Sequence, residues 1–506
     1  MRRIYFFIIC FSFLIANLSS VLAEDKLPKI VKKAIQNTKI PADSIGFNVI
    51  PVGKNANPNF QFGWHASNPM NPASTMKVLT TAAGLDILGP QYKWKTNIYT
   101  NGTLIDETLN GDLIFQGFGD PKLVPEQMSQ VVAALRQFGI KNIQGNLIFD
   151  RTAYAPSVRQ TAPNDGETTR TYNVVPDPLL FSFQTLSFQI NTINSEVEIS
   201  YTPKLEGLHV INKIDLTNSP CGDWTKDLKI NITKISDNEW NASFIGKLTR
   251  NCGEIHWNTV ALDPNNFLKL GFLASWEEAD GTWKTPLQAF DGSTPSNAKL
   301  LISYQGTLLS DAVKDINKYS NNVMARQLFL TLGLEKSGKP TSTSDSIRVI
   351  KDWLKKSNLN FPELVLENGS GLSNIERISP DSMTRLLNNI IYSKNNDILV
   401  SSLPIAGVDG TMKNRLISLL KKIWSPSNAS SSFITDQTLP DTLQKTGAYM
   451  KTGTLQNVRA IAGYVVSKSG RVYAVSSMVN HPNASAGGSS INDAIINWVI
   501  DDCPND

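Results

Sequence analysis

The spacing of apolar and polar residues divides the chain into a helical beginning, a strand-rich middle and a final part in which helices precede strands. Near the start, helical spacing predicts a short helix over 27–40, and alternation predicts a strand over 44–52. A second helix, which begins at Ser74 and ends before Gly89, carries one apolar stripe typical of core packing. Packing of that stripe leaves Ser74 at the exposed N-terminal end of the helix, where backbone amides favour a developing negative charge.

The middle of the chain, from about residue 91 to residue 297, has the pattern of β-structure. Short alternating runs such as 94–99 and 196–201 are separated by turns rich in Gly, Asn and Pro. One helical segment, 125–138, lies between two of these runs. The stretch 110–154 therefore predicts a nested strand, helix, strand module.

The rest of the chain returns to helical spacing from Leu300 and changes to strands after Gly447. The segments with helical spacing are 310–333, 344–357 and 380–392. The predicted strands of a closing meander are 450–455, 458–466 and 472–479. A last helix over 491–500 has Ser490 as its predicted cap.

Helices and strands from both ends of the chain thus predict one α+β domain that is interrupted by a long β-rich insertion. The main domain is predicted over 24–90 and 298–506, and the insertion over 91–297. A chain of 506 residues supports such a division, because single cores usually stop growing at about 250–300 residues.

The first 23 residues predict a cleaved export signal. Met1-Arg2-Arg3 precedes an apolar run over 4–16, and Val21-Leu22-Ala23 has the small residues that signal peptidase prefers. The alternative is an uncleaved membrane anchor, but the run is shorter than the roughly 20 apolar residues that a spanning helix needs. We therefore expect an exported protein without a stable membrane anchor.

Charge and cysteine content narrow the function classes. A net charge of +4 is too small to indicate a nucleic-acid partner, and basic and aromatic residues do not cluster. The mature chain keeps Cys221, Cys252 and Cys503, has no C-x-x-C pair, and predicts no zinc site. Cys221 and Cys252 are candidates for a disulfide in an oxidising compartment, but the sequence leaves this pairing open.

Candidate chemistry begins with Ser74-Thr75-Met76-Lys77, which places a lysine one helical turn after a serine. On a helix these two side chains share a face, so the amine can take the hydroxyl proton. The same spacing occurs at 296–299 and 418–421, so the pattern alone is not specific.

Two further motifs follow in the chain. Ser320-Asn321-Asn322 lies early in a helical segment, and Lys451-Thr452-Gly453-Thr454 opens the first strand of the meander. The set S-x-x-K, S-x-N and K-T-G, in this order, is the signature of penicillin-binding proteins and class A β-lactamases. A second S-x-N at 490–492 is better explained as a helix cap. A second K-T-G at 445–447 is less favoured, because the later copy is followed by Thr454 and an alternating strand.

The motifs suggest a division of roles. Ser74 would attack a carbonyl while Lys77, made partly neutral by burial and a nearby positive charge, accepts its proton. Ser320 would relay that proton toward a leaving amine, and Asn322 would anchor Lys77 or a substrate amide.

The third motif suggests recognition. Lys451 and Thr452 would bind a substrate carboxylate, and Gly453 would keep the path of the ligand clear. The backbone N–H groups of Ser74 and Thr454 would form an oxyanion hole. This acyl transfer needs neither metal nor cofactor.

On these residues the chain resembles the class C, type-4 low-molecular-mass penicillin-binding proteins, the D-alanyl-D-alanine carboxypeptidase/endopeptidase family. Further motifs that carry the resemblance are Phe118-Gly119-Asp120-Pro121, Gly145-Asn146-Leu147, Tyr172-Asn173, Asn368-Gly369-Ser370-Gly371-Leu372-Ser373 and Ala406-Gly407-Val408-Asp409-Gly410-Thr411. The resemblance implies a penicillin-binding, serine β-lactamase-like transpeptidase domain with an antiparallel sheet flanked by helices. It also implies that two nested smaller domains fill the gap between Lys77 and Ser320.

The resemblance further implies a periplasmic serine peptidase that acts on peptidoglycan peptide stems. It would cleave terminal D-Ala-D-Ala or D-Ala-diaminopimelate cross-links and be acylated by β-lactams at Ser74. A β-lactamase of the same fold and an inactive cell-wall peptide binder are the alternatives, and a homodimer is one option for the oligomeric state. The loop 369–371 and Asp409-Gly410 fit either turn chemistry or a lining of the substrate site.

Overall fold

The computed structural model describes residues 27–53, 56, 60–160, 165–192, 196–423 and 439–504, so the predicted signal at 1–23 lies outside the described residues. The chain forms two compact units. The first is built from Met1–Pro90, Val313–Ala325 and Ile350–Asp506, and the second from Gln91–Ala312 and Arg326–Val349. The predicted domain division at 24–90, 91–297 and 298–506 stays a prediction.

The strands occur in both units. In chain order they are β1 (Ile45–Val52), β2 (Phe62–Trp64), β3 (Lys93–Thr100), β4 (Thr103–Ile105), β5 (Thr108–Asn110), β6 (Leu113–Gly117), β7 (Asn142–Ile143), β8 (Leu147–Asp150), β9 (Leu186–Asn191), β10 (Glu198–Thr202), β11 (Leu208–Thr217), β12 (Leu228–Lys234), β13 (Trp240–Thr249), β14 (Glu254–Thr259), β15 (Thr282–Trp283), β16 (Ala289–Asp291), β17 (Lys299–Leu308), β18 (Gly447–Leu455), β19 (Val458–Val466) and β20 (Val472–Asn480).

The α-helices likewise come from both units. In chain order they are α1 (Lys29–Gln36), α2 (Met76–Leu88), α3 (Pro125–Gln137), α4 (Pro156–Arg159), α5 (Pro264–Glu278), α6 (Leu309–Lys318), α7 (Asn322–Ser337), α8 (Thr343–Lys356), α9 (Pro380–Ile391), α10 (Asn396–Ser402), α11 (Ile417–Ile423) and α12 (Ala484–Ile500). Within the described ranges, none of these helices is long and apolar enough to cross a membrane.

The first unit is organised by an antiparallel sheet with the strand order β18, β19, β20, β1, β2. Strands β19 and β20 are nearly continuous apolar runs because they are buried on both faces. Side chains of α1 and α12, such as Val31 and Ile495, share one core with Phe47 of the sheet. The Tyr464 hydroxyl of β19 donates to the Leu387 carbonyl of α9 at 2.8 Å. The sheet is therefore covered by helices, which confirms the predicted α+β fold class.

The second unit contains several smaller sheets. A five-stranded sheet has the order β16, β8, β6, β3, β17, and a four-stranded sheet has the order β15, β7, β5, β4. Strands β6 and β8 pair in parallel and α3 connects them, so the stretch predicted as a strand, helix, strand module contains this unit. Two three-stranded sheets have the orders β10, β9, β14 and β11, β13, β12. In this unit Cys221 and Cys252 form a disulfide. Cys503, which belongs to the first unit, is a buried free thiol.

Three local predictions were wrong. Residues 299–308 form the strand β17, whereas the apolar spacing predicted helical structure from Leu300. The predicted helix over 310–333 is two helices, α6 and α7, and Ser320 between them has a φ of 58°, in the left-handed region that interrupts a helix. Ser490 does not cap the last helix, because α12 already begins at Ala484 with Asn483 at its cap position.

Candidate active site

Ser74 lies in a short 3-10 turn, Ala73–Thr75, that leads directly into α2. Ala73 has a φ of 45°, and its N–H donates to Asn71 Oδ1 at 2.9 Å. The Thr75 hydroxyl closes the turn by donating to the Pro72 carbonyl at 2.7 Å. These bonds hold a strained turn, and Ser74 stays half-buried at the start of the helix.

Helix α2 is more buried than its sequence predicts. Every residue from Met76 to Leu85 is buried, whereas the apolar stripe predicted one buried face. Lys77 is therefore carried into the interior with the rest of the first turns, and its side chain has no solvent exposure. A lysine in this position must find its hydrogen-bond partners within the protein.

Lys77 finds three partners. Its Nζ lies 2.9 Å from Ser74 Oγ, 2.6 Å from Asn322 Oδ1 and 2.5 Å from the Ser370 carbonyl oxygen. Burial lowers the pKa of Lys77 well below its ordinary value, the charge of Lys451 lowers it further, and the charge of Glu376 opposes both. A lowered pKa favours the free amine, the form that can take a proton from Ser74.

Ser320 and Lys451 form a second contact in the same unit. Lys451 Nζ donates to Ser320 Oγ at 2.8 Å and to the Thr452 carbonyl oxygen at 2.8 Å. Lys451 is also fully buried, and this burial lowers its pKa to about 7. The positive φ that ends α6 turns Ser320 out of the helix toward the lysine, while Asn322 begins α7 and reaches Lys77.

Strand β18 is the edge strand of the sheet, and half of its edge is covered. The Met450 N–H donates to the Pro404 carbonyl at 2.8 Å, and the Ala406 N–H donates to the Ala448 carbonyl at 2.9 Å. In an antiparallel pair, alternate residues direct their backbone groups to the same edge. Thr454 therefore directs its N–H and carbonyl toward the edge beyond the covered part, and its side chain is exposed.

Gly453 lies where β18 passes close to the serine turn. A Cβ atom at this position would lie 2.6 Å from the Pro72 carbonyl oxygen and 3.1 Å from Ala73 Cβ. A glycine therefore allows the strand to approach the backbone of the turn. The sequence analysis predicted a different role for this glycine, which was to keep the path of the ligand clear.

The loop 368–371 supports the serine turn from another direction. Gly371 has a φ of 78°, and a Cβ there would overlap the Ala73 carbonyl. Asn368 Oδ1 accepts hydrogen bonds from the Ser370 N–H at 2.9 Å and from the Ser370 hydroxyl at 2.6 Å. The sequence left this loop open between turn chemistry and substrate lining, and it did not predict the contact between its carbonyl and Lys77.

A second loop reaches the site next to Thr452. Lys318 Nζ donates to Asp409 Oδ2 and to the Leu403 carbonyl, both at 2.6 Å. Two residues after Asp409, the Thr411 hydroxyl lies 2.7 Å from the Thr452 hydroxyl. The sequence motif 406–411, which ends at Thr411, was noticed, but the contact of Thr411 with Thr452 and the role of Lys318 were not predicted.

The structure thus joins the predicted residues through two lysines. Lys77 links Ser74 with Asn322, and Lys451 links Ser320 with the strand that carries Thr452. Residues 27–423 and 437–501 match the family described as D-Ala-D-Ala carboxypeptidase 3 (S13). The chain belongs to this family.

Known proteins that are similar to this chain agree with the family. D-alanyl-D-alanine carboxypeptidase DacB of Haemophilus influenzae is 24% identical over 446 residues, which is 86% of each chain. The crystal structure of penicillin binding protein 4 (dacB) from Haemophilus influenzae has a TM-score of 0.70 and 22% identity and covers 94% of this chain and 100% of its own. Its complex with a novel β-lactam has a TM-score of 0.66 and 21% identity, and covers 93% and 98%.

These similarities confirm two predictions made from the motifs. The chain is a type-4 penicillin-binding protein by family, and it has the serine-type D-Ala-D-Ala carboxypeptidase function of that family. The structural likeness, at this level of identity, supports the fold. The roles of the individual residues remain a matter of geometry and chemistry.

Proposed function

We propose that this protein cleaves D-Ala-D-Ala termini and D-Ala-diaminopimelate cross-links of peptidoglycan through an acyl-enzyme on Ser74. The observation that carries the proposal is the fully buried Lys77, whose Nζ lies 2.9 Å from Ser74 Oγ. A buried amine with a lowered pKa is a base at neutral pH, and the serine beside it becomes a nucleophile. We further propose the periplasm as its location, because residues 1–23 predict an export signal.

In the acylation step, Lys77 takes the proton of Ser74 as Oγ attacks the carbonyl of the penultimate D-Ala. The N–H groups of Ser74 and Thr454 would bind the oxyanion, because preorganised donors stabilise charge that develops in the transition state. The C–N bond then breaks, and Ser320 gives its hydroxyl proton to the leaving amine while it takes a proton from the Lys451 ammonium. Ser320 is suited to this relay because Lys451 Nζ lies 2.8 Å from its Oγ. Water then hydrolyses the acyl ester: its hydroxide joins the acyl carbon, its proton restores Lys451, and Lys77 returns the first proton to Ser74 Oγ.

The recognition step belongs to the edge strand. A peptide that ends in D-Ala carries a free carboxylate, and the hydroxyls of Thr452 and Thr411 lie 2.7 Å apart at the exposed side of the site. Hydrogen bonds to a charged group are about twice as strong as bonds between neutral groups. We propose that these hydroxyls, together with the positive charge of Lys451, bind that carboxylate.

The same site would be acylated by β-lactams. The strained ring amide presents a carbonyl next to a carboxylate, which is the pattern that Ser74 and Thr452 would recognise in the peptide. The related Haemophilus protein has been crystallised in complex with a β-lactam. An acyl-enzyme that persists for minutes or longer would exclude the β-lactamase alternative, because a β-lactamase must release the acyl group quickly.

The test is to incubate the purified protein with defined muropeptides and to weigh the products. We expect a pentapeptide stem to lose one alanine and a cross-linked dimer to separate into monomers. The Ser74→Ala variant should do neither. A wild-type protein that leaves both substrates intact would contradict the proposal, and turnover of either substrate would exclude a purely binding role.

A further inference from the structure

A buried carboxylate, Glu376, lies behind the loop that contacts Lys77, and the proposed mechanism does not use it. Its side chain has no solvent exposure. Its Oε1 accepts three backbone hydrogen bonds, from the N–H groups of Glu367 at 3.0 Å, Asn368 at 2.9 Å and Gly369 at 3.0 Å. Among the described residues, its Oε2 has no hydrogen-bond partner.

The three N–H groups belong to the residues immediately before Ser370. The Ser370 carbonyl is the acceptor that lies 2.5 Å from Lys77 Nζ. From the other side, the Thr80 hydroxyl of α2 donates to the Gly369 carbonyl at 2.6 Å. Glu376 therefore fixes one end of a short backbone segment whose other end meets the catalytic lysine, and a shift of the carboxylate would move that carbonyl.

Glu376 also supplies charge to a site that buries two lysines. Lys77 and Lys451 are both fully buried, and their charges repel each other. Burial raises the pKa of Glu376 above its ordinary value, and the charge of Glu367 adds to the rise, while the bonds from the N–H groups of Asn368, Glu367 and Gly369 oppose it by favouring the ionised form. The charge of Glu376 raises the pKa of Lys77, against the effects of burial and of Lys451.

The opposing effects of Glu376 and Lys451 on the pKa of Lys77 have a chemical consequence. A base works best when its pKa lies near the operating pH, because a base that is too weak takes the serine proton poorly. Burial and Lys451 alone would make Lys77 a weaker base. A negative charge behind the Ser370 loop restores part of that basicity without touching the substrate.

We propose that Glu376 is a positioning residue for the acylation reaction. Its carboxylate holds the backbone of 367–369 so that the Ser370 carbonyl faces Lys77, and its negative charge keeps Lys77 basic enough to take the proton of Ser74. The inference rests on the proposed function, in which Lys77 is the base. It makes Glu376 act through Lys77, and no contact with substrate is required.

The test is the pH dependence of acylation by a fluorescent penicillin, measured on the full protein. Glu376→Gln keeps an acceptor oxygen for the three N–H groups and removes the charge. We expect its acid limb to move about one pH unit lower, since an opposite charge nearby shifts a pKa by about 1–3 units. We also expect a plateau rate several-fold lower, because Lys77 is then a weaker base.

The matched control is Glu367→Gln, on the same loop. Glu367 is exposed, and the backbone N–H that it donates to Glu376 is kept by the substitution. Its charge raises the pKa of Glu376, so removing that charge favours the ionised Glu376 that the proposal requires. This variant should retain the wild-type acid limb and plateau. An acid limb that stays at the wild-type pH in Glu376→Gln would overturn the proposal.

A third variant covers the case in which Glu376→Gln does not fold. Glu376→Asp keeps the charge on a shorter side chain that cannot reach all three N–H groups, so we expect a lower plateau with an unchanged acid limb. A wild-type plateau in this variant would overturn the proposal. If the wild-type protein itself were not acylated at any pH, the proposed function would fail, and this inference with it.

Discussion

The inner and outer halves of the site differ in their exposure to water. In the inner half, Lys77 is fully buried and lies within 2.9 Å of Ser74 Oγ, Asn322 Oδ1 and the Ser370 carbonyl. In the outer half, Thr454 is exposed, and the Thr452 hydroxyl has the Thr411 hydroxyl as its neighbour at 2.7 Å. One half is a closed set of contacts, and the other presents hydrogen-bonding groups to a ligand.

The difference shows how one site can serve two requirements. Proton transfer needs an amine with a lowered pKa, which burial provides. Recognition of a carboxylate needs hydrogen-bond donors that a ligand can reach and from which it can displace water. Lys451 belongs to both halves, since it is buried beside Ser320 but sits on the edge strand next to Thr452.

The largest expected effect comes from removing the inner base. Lys77→Ala should lower the rate of acylation by about 10²–10⁴-fold, the range typical of a lost general base. The matched control is Lys421→Ala, which removes the exposed lysine of the third S-x-x-K spacing, at 418–421. Rates measured with a fluorescent penicillin should be unchanged in this control. Equal losses of acylation rate in both variants would show that Lys77 matters no more for acylation than Lys421.

A smaller effect is expected where the two halves meet. Gly453→Ala places a Cβ 2.6 Å from the Pro72 carbonyl, so either the edge strand or the serine turn must move. We expect acylation to fall by about 10²-fold, because a displacement of about 1 Å can cost that much. The melting temperature should also fall, because overpacking destabilises a folded protein by about 1–3 kcal/mol.

The control for that substitution is Gly222→Ala. A Cβ at Gly222 would meet no atom within 4 Å, so the melting temperature and the acylation rate should both stay at wild-type values. Wild-type acylation by Gly453→Ala would show that the close approach of strand and turn does not set the geometry of the site.

The smallest effect is expected in the outer half. Thr452→Val removes the hydroxyl and keeps the size of the side chain, so kcat/KM for a peptide with a free C-terminal carboxylate should fall by about 10-fold or more, as expected for a lost bond to a charged group. The same peptide with an amidated C-terminus should lose little. Equal losses for both peptides would show that Thr452 does not recognise the carboxylate.

The sequence predicted the parts of the site whose signal is local. The spacing of Ser74 and Lys77 and the run Lys451 to Thr454 are read from adjacent residues, and apolar runs predicted β19 and β20. The family and the fold class followed from these motifs and were confirmed by the comparisons and the structure.

The parts that the sequence missed depend on distant contacts. The Ser370 carbonyl is a backbone group, which leaves no trace in the residue type, and Glu376 is one of many acidic residues until the fold buries it. The break at Ser320 is hidden because apolar spacing continues on both sides, so only the positive φ reveals it. Gly453 is required because the carbonyl of Pro72, a residue far away in the chain, leaves no room for a Cβ atom there.

The most direct test of the account is to locate the adduct that penicillin forms with the protein. Mass spectrometry of the intact protein should show the addition of one penicillin, and peptide mapping should place it on Ser74. The Ser74→Ala variant should carry none. An adduct that persists in this variant, or that maps to another residue, would contradict the assignment of Ser74 as the nucleophile.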